Sequence, residues 1–332
     1  MPTWAGYHRC RSFGLRLAAN RPIAGLPEEH SADPPDVVIE LAPGRAGSAH
    51  GEGPGTLWRR HPVRDERGRP MLQVRRAASR DWYHLAYADG TEFVVEREGR
   101  RIRGSWPSPF TSDDAATYLL GPVLGFALRL RGVVSLHASV VSIQGAAVAF
   151  LGPPGAGKST LAARFARAGH ALVCDDAAAL TPTERGFLVQ PGPPRVRLWP
   201  DSVRLLFGPD AQLPRLTPSW DKRRLDLAGS PHRVAREPVP LVAAYLLGAR
   251  DGEAPQIGAL EPRRALLALI GNSYASFFQE APMRAREFQL LAELARAVPL
   301  RRVRAPEGVD GLAAVVDAVV RDVRHETPGG LR

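Results

Sequence analysis

The sequence predicts an α/β chain in two parts, a small β-rich module over residues 1–110 and an α/β domain over residues 111–332. Three observations carry this expectation. An apolar strand, a glycine loop, a helix and a second apolar strand follow one another between Ala146 and Cys174, the order from which α/β architecture is built. The first hundred residues instead show short strand signals separated by turns such as Asp89-Gly90 and Glu98-Gly99-Arg100. The composition is globular, with 44% hydrophobic and 23% charged residues over 332 positions, enough for one large or two ordinary domains.

Taken in order, the chain up to about Ser31 reads as irregular, punctuated by Pro22, Pro27, Pro34 and Pro35. Val37–Leu41 reads as a short strand and 43–56 as a Gly- and Pro-rich loop. Leu72-Gln73-Val74, Trp82–Tyr87 and Glu92–Val95 complete an antiparallel set. Thr111-Ser112-Asp113-Asp114 offers hydroxyl and carboxylate caps for a helix running to about Leu130, disturbed at Gly121-Pro122. Val133–Ile143 reads as one strand, Gln144-Gly145 as a turn, Ala146–Leu151 as a buried strand, Ser159–Ala168 as a helix stopped by Gly169, and Ala171–Cys174 as a strand. Phe288, Leu291, Leu294, Ala295 and Val298 recur at helical spacing, as do Leu312, Val315, Val316, Val319 and Val323; both sets read as core-covering helices.

Charge and targeting patterns narrow the function classes. The opening Met-Pro-Thr-Trp lacks a basic flank and apolar run, so no signal peptide is expected. The most apolar stretch, Tyr118–Val134, is broken by Arg129 and Arg131, short of the ~18 apolar residues of a membrane span. Cys10 and Cys174 cannot build a disulfide framework. A cytoplasmic protein with no membrane partner is the expectation. The net charge of +10 comes from 44 cations against 34 acids. It is spread along the chain, with Arg-Arg pairs interleaved with Asp and Glu. A nucleic-acid footprint is usually a concentrated stripe, so no nucleic-acid partner is expected. Forty-two of those cations are arginine; only Lys158 and Lys222 are lysine.

Lys158 falls inside Gly152-Pro153-Pro154-Gly155-Ala156-Gly157-Lys158-Ser159-Thr160, which matches the phosphate-loop pattern G-x-x-x-x-G-K-[ST]. Glycines let backbone amides turn inward around phosphate oxygens where a Cβ would clash. Lysine supplies a compact charge on a flexible stem, which arginine's broad fork does not replace. The Ser159 hydroxyl is a hard oxygen ligand for Mg²⁺, and the helix beginning there adds its positive end. These residues are expected to hold a nucleotide.

One helix later, Ala171–Cys174 ends in Asp175-Asp176. In phosphate-loop enzymes such a strand end brings a carboxylate to Mg²⁺, and two adjacent acids can divide metal holding from proton acceptance. His137, between Leu136 and Ala138, lies on the strand before the cradle. A lone histidine there is more often a core residue, and spacing alone leaves its role open.

The run Leu136-His137-Ala138-Ser139-Val140, the loop 152–160, Gly169-His170 and Asp175-Asp176 together resemble the catalytic domain of the HPr serine kinase/phosphorylase family. Pro194–Ser202, with Arg195 and Arg197, and Trp220-Asp221-Lys222-Arg223 look like motifs of HPr-kinase-like serine kinases associated with peptide-modification gene clusters, among them kinases of a lasso-peptide precursor. The resemblance spans about 130–325 and is specific over 136–176; Phe13-Gly14-Leu15 and Leu26-Pro27-Glu28 are also similar to those relatives. It implies a P-loop kinase domain of the HPr kinase/PEP carboxykinase-like type, using ATP and Mg²⁺ on a peptide or protein serine. It also implies catalytic roles for His137 and for Asp175 as general base, leaving Asp176 with Ser159 on the metal. The chain departs from authentic HPr kinases in carrying Thr160 where they carry Glu, and in its first 110 residues.

The second lysine, Lys222, is expected at the transferred phosphoryl group or nucleotide, and Arg195 and Arg197 at substrate or transition-state anions. The expected activity is phosphoryl transfer from ATP to a hydroxyl of a peptide or protein. A small-molecule hydroxyl acceptor and a nucleotide-binding regulator without transfer stay open at this stage, as does assembly into a homo-oligomer.

Overall fold

The computed structural model describes residues 6–30, 33–44, 55–79, 81–217, 220–230 and 232–326. Most of the loop expected over 43–56, and the opening tetrapeptide, lie outside them. The chain forms two compact units, residues 1–133 with 217–219 and 275–280, and residues 134–216, 220–274 and 281–332.

The first unit is built on an eight-stranded sheet of β1 (His8–Ser12), β2 (Leu15–Ala19), β3 (Val37–Pro43), β4 (Thr56–Arg60), β5 (Leu72–Arg76), β6 (Trp82–Tyr87), β7 (Glu92–Glu96) and β8 (Arg101–Trp106), in the order β1-β2-β3-β8-β7-β6-β5-β4. Two findings differ from the sequence reading. The segment expected to be irregular holds the β1–β2 hairpin, in which Cys10, Ser12, Leu15 and Leu17 are buried while Arg9, Arg11 and Arg16 face outward. Its two-residue turn is Phe13-Gly14, both at positive φ. Hairpin turns of this type favour Asn-Gly or Asp-Gly, so a phenylalanine there hides the signal. The sheet is also mixed rather than antiparallel, because β3 runs parallel to both β2 and β8.

After β8, Thr111 caps α1 (Ser112–Tyr118) through a reciprocal box with Asp114. A π-helical turn, Leu119–Val123, leads to α2 (Leu124–Leu130), with Gly121 out of helical geometry beside Pro122. Fully buried Phe126 on α2 stacks on Phe278 at 4.5 Å and meets Tyr83 edge-on at 5.0 Å. This packing places both helices in the first unit, so that unit runs to residue 133 and past the boundary expected at 110.

The second unit contains β9 (Val134–Leu136), β10 (Ser139–Ile143), β11 (Ala146–Leu151), α3 (Lys158–Arg167), β12 (Ala171–Cys174), β13 (Ala178–Thr183), β14 (Gly186–Val189), β15 (Arg195–Leu198), α4 (Pro200–Phe207), β16 (Arg215–Thr217), β17 (Trp220–Asp226), β18 (Val239–Leu247), β19 (Gln256–Ala259), α5 (Pro262–Gly271), α6 (Ala281–Ala297), β20 (Leu300–Arg304) and α7 (Gly308–Glu326). Its main sheet runs β12-β10-β11-β18-β14-β13-β9, with β20 and β19 added beside β18; β15, β17 and β16 make a separate small sheet. The pairs β11–β18 and β18–β20 are parallel. Val133–Ile143, expected as one strand, is two: β9 pairs with β13, β10 with β11 and β12, and the chain changes partners at His137-Ala138.

Side-chain alternation divides this unit into two cores. Val141, Ile143, Val148 and Phe150 pack with Leu161, Phe165, Val315 and Val319 of α3 and α7. Val140, Ala147, Ala149 and Leu151 pack with Leu269 of α5, Leu291 and Leu294 of α6, and Val298 just after it. A central strand covered on both faces by helices reads as a continuous apolar run, and Ala146–Leu151 is one. No helix among the described residues is long and apolar enough to cross a membrane. Phe165 is fully buried, with its ring 5.2 Å from Phe150. Phe165→Ala is therefore expected to cost about 3–5 kcal/mol, read as a lowered denaturation midpoint; a midpoint equal to wild type would contradict this packing.

Candidate active site

Residues 152–157 join the end of β11 to the start of α3, and the loop's shape follows from its glycines. Gly152, Gly155 and Gly157 all have positive φ, and Gly157 is the left-handed cap of α3. With a glycine cap that has no side-chain hydrogen bond, the first amides of α3 are left for an external acceptor. Buried Lys158 folds back along the loop, its Nζ donating to Gly152 O at 2.6 Å and Pro153 O at 3.2 Å. Burial lowers its pKa; Asp176 and Asp175 act in the opposite direction and Lys222 adds to the lowering. Thr160 is turned away to a hydroxyl–hydroxyl bond with Ser202 of α4 at 2.9 Å.

Asp175, at the end of β12, is buried and collects three donors. Ser159 Oγ and Ser139 Oγ donate to Oδ1 at 2.8 and 2.6 Å, and the Arg197 backbone N–H donates to Oδ2 at 2.9 Å. Asp176 adopts φ +75°, a left-handed conformation that Asp tolerates better than most residues. Its carboxylate takes partners different from those of Asp175. Arg197 Nη1 and Tyr274 Oη each donate to Asp176 Oδ2 at 3.2 Å. His137 Nδ1 donates to the Asp176 carbonyl at 2.9 Å and lies 3.5 Å from Oδ1. Burial pushes the Asp176 pKa up, but Arg197, His137 and Lys222, with the Tyr274 hydroxyl, hold it below the usual carboxylate value.

The pairing of residues thus differs from the sequence expectation in that Ser159 joins Asp175 rather than Asp176; His137 meets Asp176. Lys222 Nζ sits 5.1 Å over the Trp199 ring, close enough to act on both Lys158 and Asp176. Arg195 is buried in the small sheet, where its Nε lies 3.5 Å from Asp226 Oδ1. A cavity of about 570 Å³ runs along α4, lined by Val203, Arg204, Asp210, Arg215 and Arg223 among others; its lining includes neither the glycine loop nor Asp175 or Asp176.

One segment was not legible in advance. Asn272, just after α5, accepts from Gly152 N–H through Oδ1 at 3.0 Å and from His137 N–H through its carbonyl at 2.6 Å. Tyr274, two residues on, stacks on the His137 ring as well as holding Asp176. A polar run after an amphipathic helix was its only local signal.

Among the described residues no three or more His, Cys, Asp or Glu side chains are grouped to hold a metal. Ser159 and Asp175 nevertheless place two hard oxygens side by side. Mg²⁺ is commonly held by one or two protein oxygens together with phosphates and water, and this pair fits that use.

No family model matches the chain, and no curated protein matches it. Among solved structures it is similar to the Hpr(Ser) kinase/phosphatase from Coxiella burnetii, with 15% sequence identity and a TM-score of 0.32 over 59% of this chain and 99% of that one.

Two outcomes are expected. Asn272→Ala leaves the Gly152 amide unpaired, at about 1–3 kcal/mol, and speeds its hydrogen exchange; unchanged exchange would refute the brace. For Asp176 the folded pKa is lowered, so its stabilisation is complete above the unfolded value of about 3.9 and is lost as pH falls through the lowered one. The stability gap between wild type and Asp176→Asn should therefore be widest near neutrality and shrink below about pH 4; a gap independent of pH would refute the charge network.

Proposed function

We propose that the chain is an ATP- and Mg²⁺-dependent kinase that transfers the γ-phosphoryl group to a hydroxyl, that of a peptide or protein Ser or Thr. The observation that carries this reading is the hydrogen bond between Ser159 and buried Asp175 at the foot of a glycine loop that also encloses Lys158 Nζ. The loop amides and the start of α3 bind phosphate oxygens. Lys158 exchanges its two carbonyl partners for phosphate, which relieves a buried ammonium.

The pairing in the site favours a division of labour opposite to the one the resemblance implied. Ser159 and Asp175 hold Mg²⁺, which when bound neutralises phosphate charge. Asp176 receives the acceptor hydroxyl. It is half-buried, against the deeply buried Asp175, so an incoming group reaches it more readily. Its lowered pKa keeps it ionised and makes it a weak base. That suits a loose transfer in which the hydroxyl is oriented first and loses its proton late. His137 and Tyr274 fix the acid's orientation, and Arg197 and Lys222 stabilise developing negative charge. Arg195, paired in the small sheet, is assigned a structural part.

The test is calorimetric nucleotide binding together with γ-phosphoryl transfer to a library of Ser- and Thr-containing peptides. Lys158→Ala is expected to lose nucleotide binding. Asp175→Asn should lose the Mg²⁺ dependence of that binding, and Asp176→Asn should retain binding but transfer about 10²–10⁴-fold more slowly. Wild-type turnover in Asp176→Asn would exclude its role. Tight ATP binding with no transfer to any acceptor, water included, would mark a non-catalytic nucleotide-binding protein.

A further inference from the structure

Strand β18 lies beside β11 and parallel to it, so both deliver their C-terminal ends to one edge of the sheet. There β11 runs into the glycine loop and β18 into Gly248–Asp251. This second segment is pinned from below. Gly248 N–H donates to Val303 O at 2.8 Å, Ala305 N–H donates to Ala249 O at 3.3 Å, and Asp251 accepts from two nitrogens of Arg304 at 2.7 and 3.3 Å. From this fixed base Arg250 reaches onto the loop. Its Nη2 donates to Ala156 O at 2.9 Å, and a Cβ on residue 157 would collide with it. Gly157 thus meets the need for a left-handed φ, and the guanidinium lies close against it.

Lys158 and Asp175 are buried, whereas Arg250 is exposed. With the transferred phosphoryl group at the buried end, the nucleoside leaves the loop on the exposed side. We propose that Arg250 forms one wall of a purine-nucleoside subsite, its guanidinium plane stacking on the base while its edge stays bonded to Ala156 O. Arginine suits this because its flat, weakly hydrated cation stacks on aromatic faces with its N–H edge still engaged. This subsite rests on the phosphate-loop reading above.

The test measures binding of Mg-ATP and of inorganic tripolyphosphate to wild type, Arg250→Ala and Arg250→Lys. Both variants are expected to bind ATP about tenfold more weakly and tripolyphosphate as tightly as wild type, which also reports that the loop is folded. Equal losses for the two ligands would overturn the subsite, since Arg250 would then act on phosphate or on the loop itself. Unchanged ATP affinity in Arg250→Ala, or wild-type affinity in Arg250→Lys, would overturn it as well. Should wild type bind neither ligand, the phosphate-loop reading falls with it; should wild type bind both and the variants match it, the subsite alone falls.

Discussion

A buried carboxylate left without donors would cost more than the fold can spare, and the placement of the site follows from satisfying one. Asp175 ends β12, and its three donors come from the start of β10, the first turn of α3 and the backbone of β15. Four elements that share no local sequence are thereby fixed relative to a single pair of oxygens. The small sheet carrying Arg197 is held to the main sheet at this point, and the first turn of α3 is held against the end of β12. Rigidity around the glycine loop is then a by-product of keeping one acid satisfied.

A second brace works from the other side. Asn272 and Tyr274 follow α5, whose apolar face is locked into the core by Ala265 and Leu269. The helix therefore delivers a polar tail to a fixed place, and that tail reaches Gly152, His137 and Asp176. It explains why the chain changes strand partners at His137: the residue's N–H is taken by Asn272 rather than by a neighbouring strand.

What could be read in advance was what is contiguous. The strand, loop and helix around 152–160, the acids ending β12, and the helices spaced on Leu291 and Val319 depend on neighbours within a few residues, so periodicity and glycine placement reveal them. The unread parts depend on distance or on an unusual residue. Asn272 acts across 120 positions, Tyr274 across 98 and Arg250 across 94, and no spacing rule reaches that far. The β1–β2 hairpin was missed because its turn begins with phenylalanine. The different partners of Asp175 and Asp176 were hidden because they are distant in sequence and because Asp176 takes a left-handed backbone dihedral, which no local pattern encodes.

That dihedral has a consequence for descent. At φ +75°, position 176 disfavours nearly every side chain except Asp, Asn and Gly, irrespective of what the carboxylate does. Related chains with no need of a carboxylate there would be expected to drift toward asparagine or glycine rather than alanine. The backbone would thus favour the outline of an acid at this position whether or not a carboxylate is needed there.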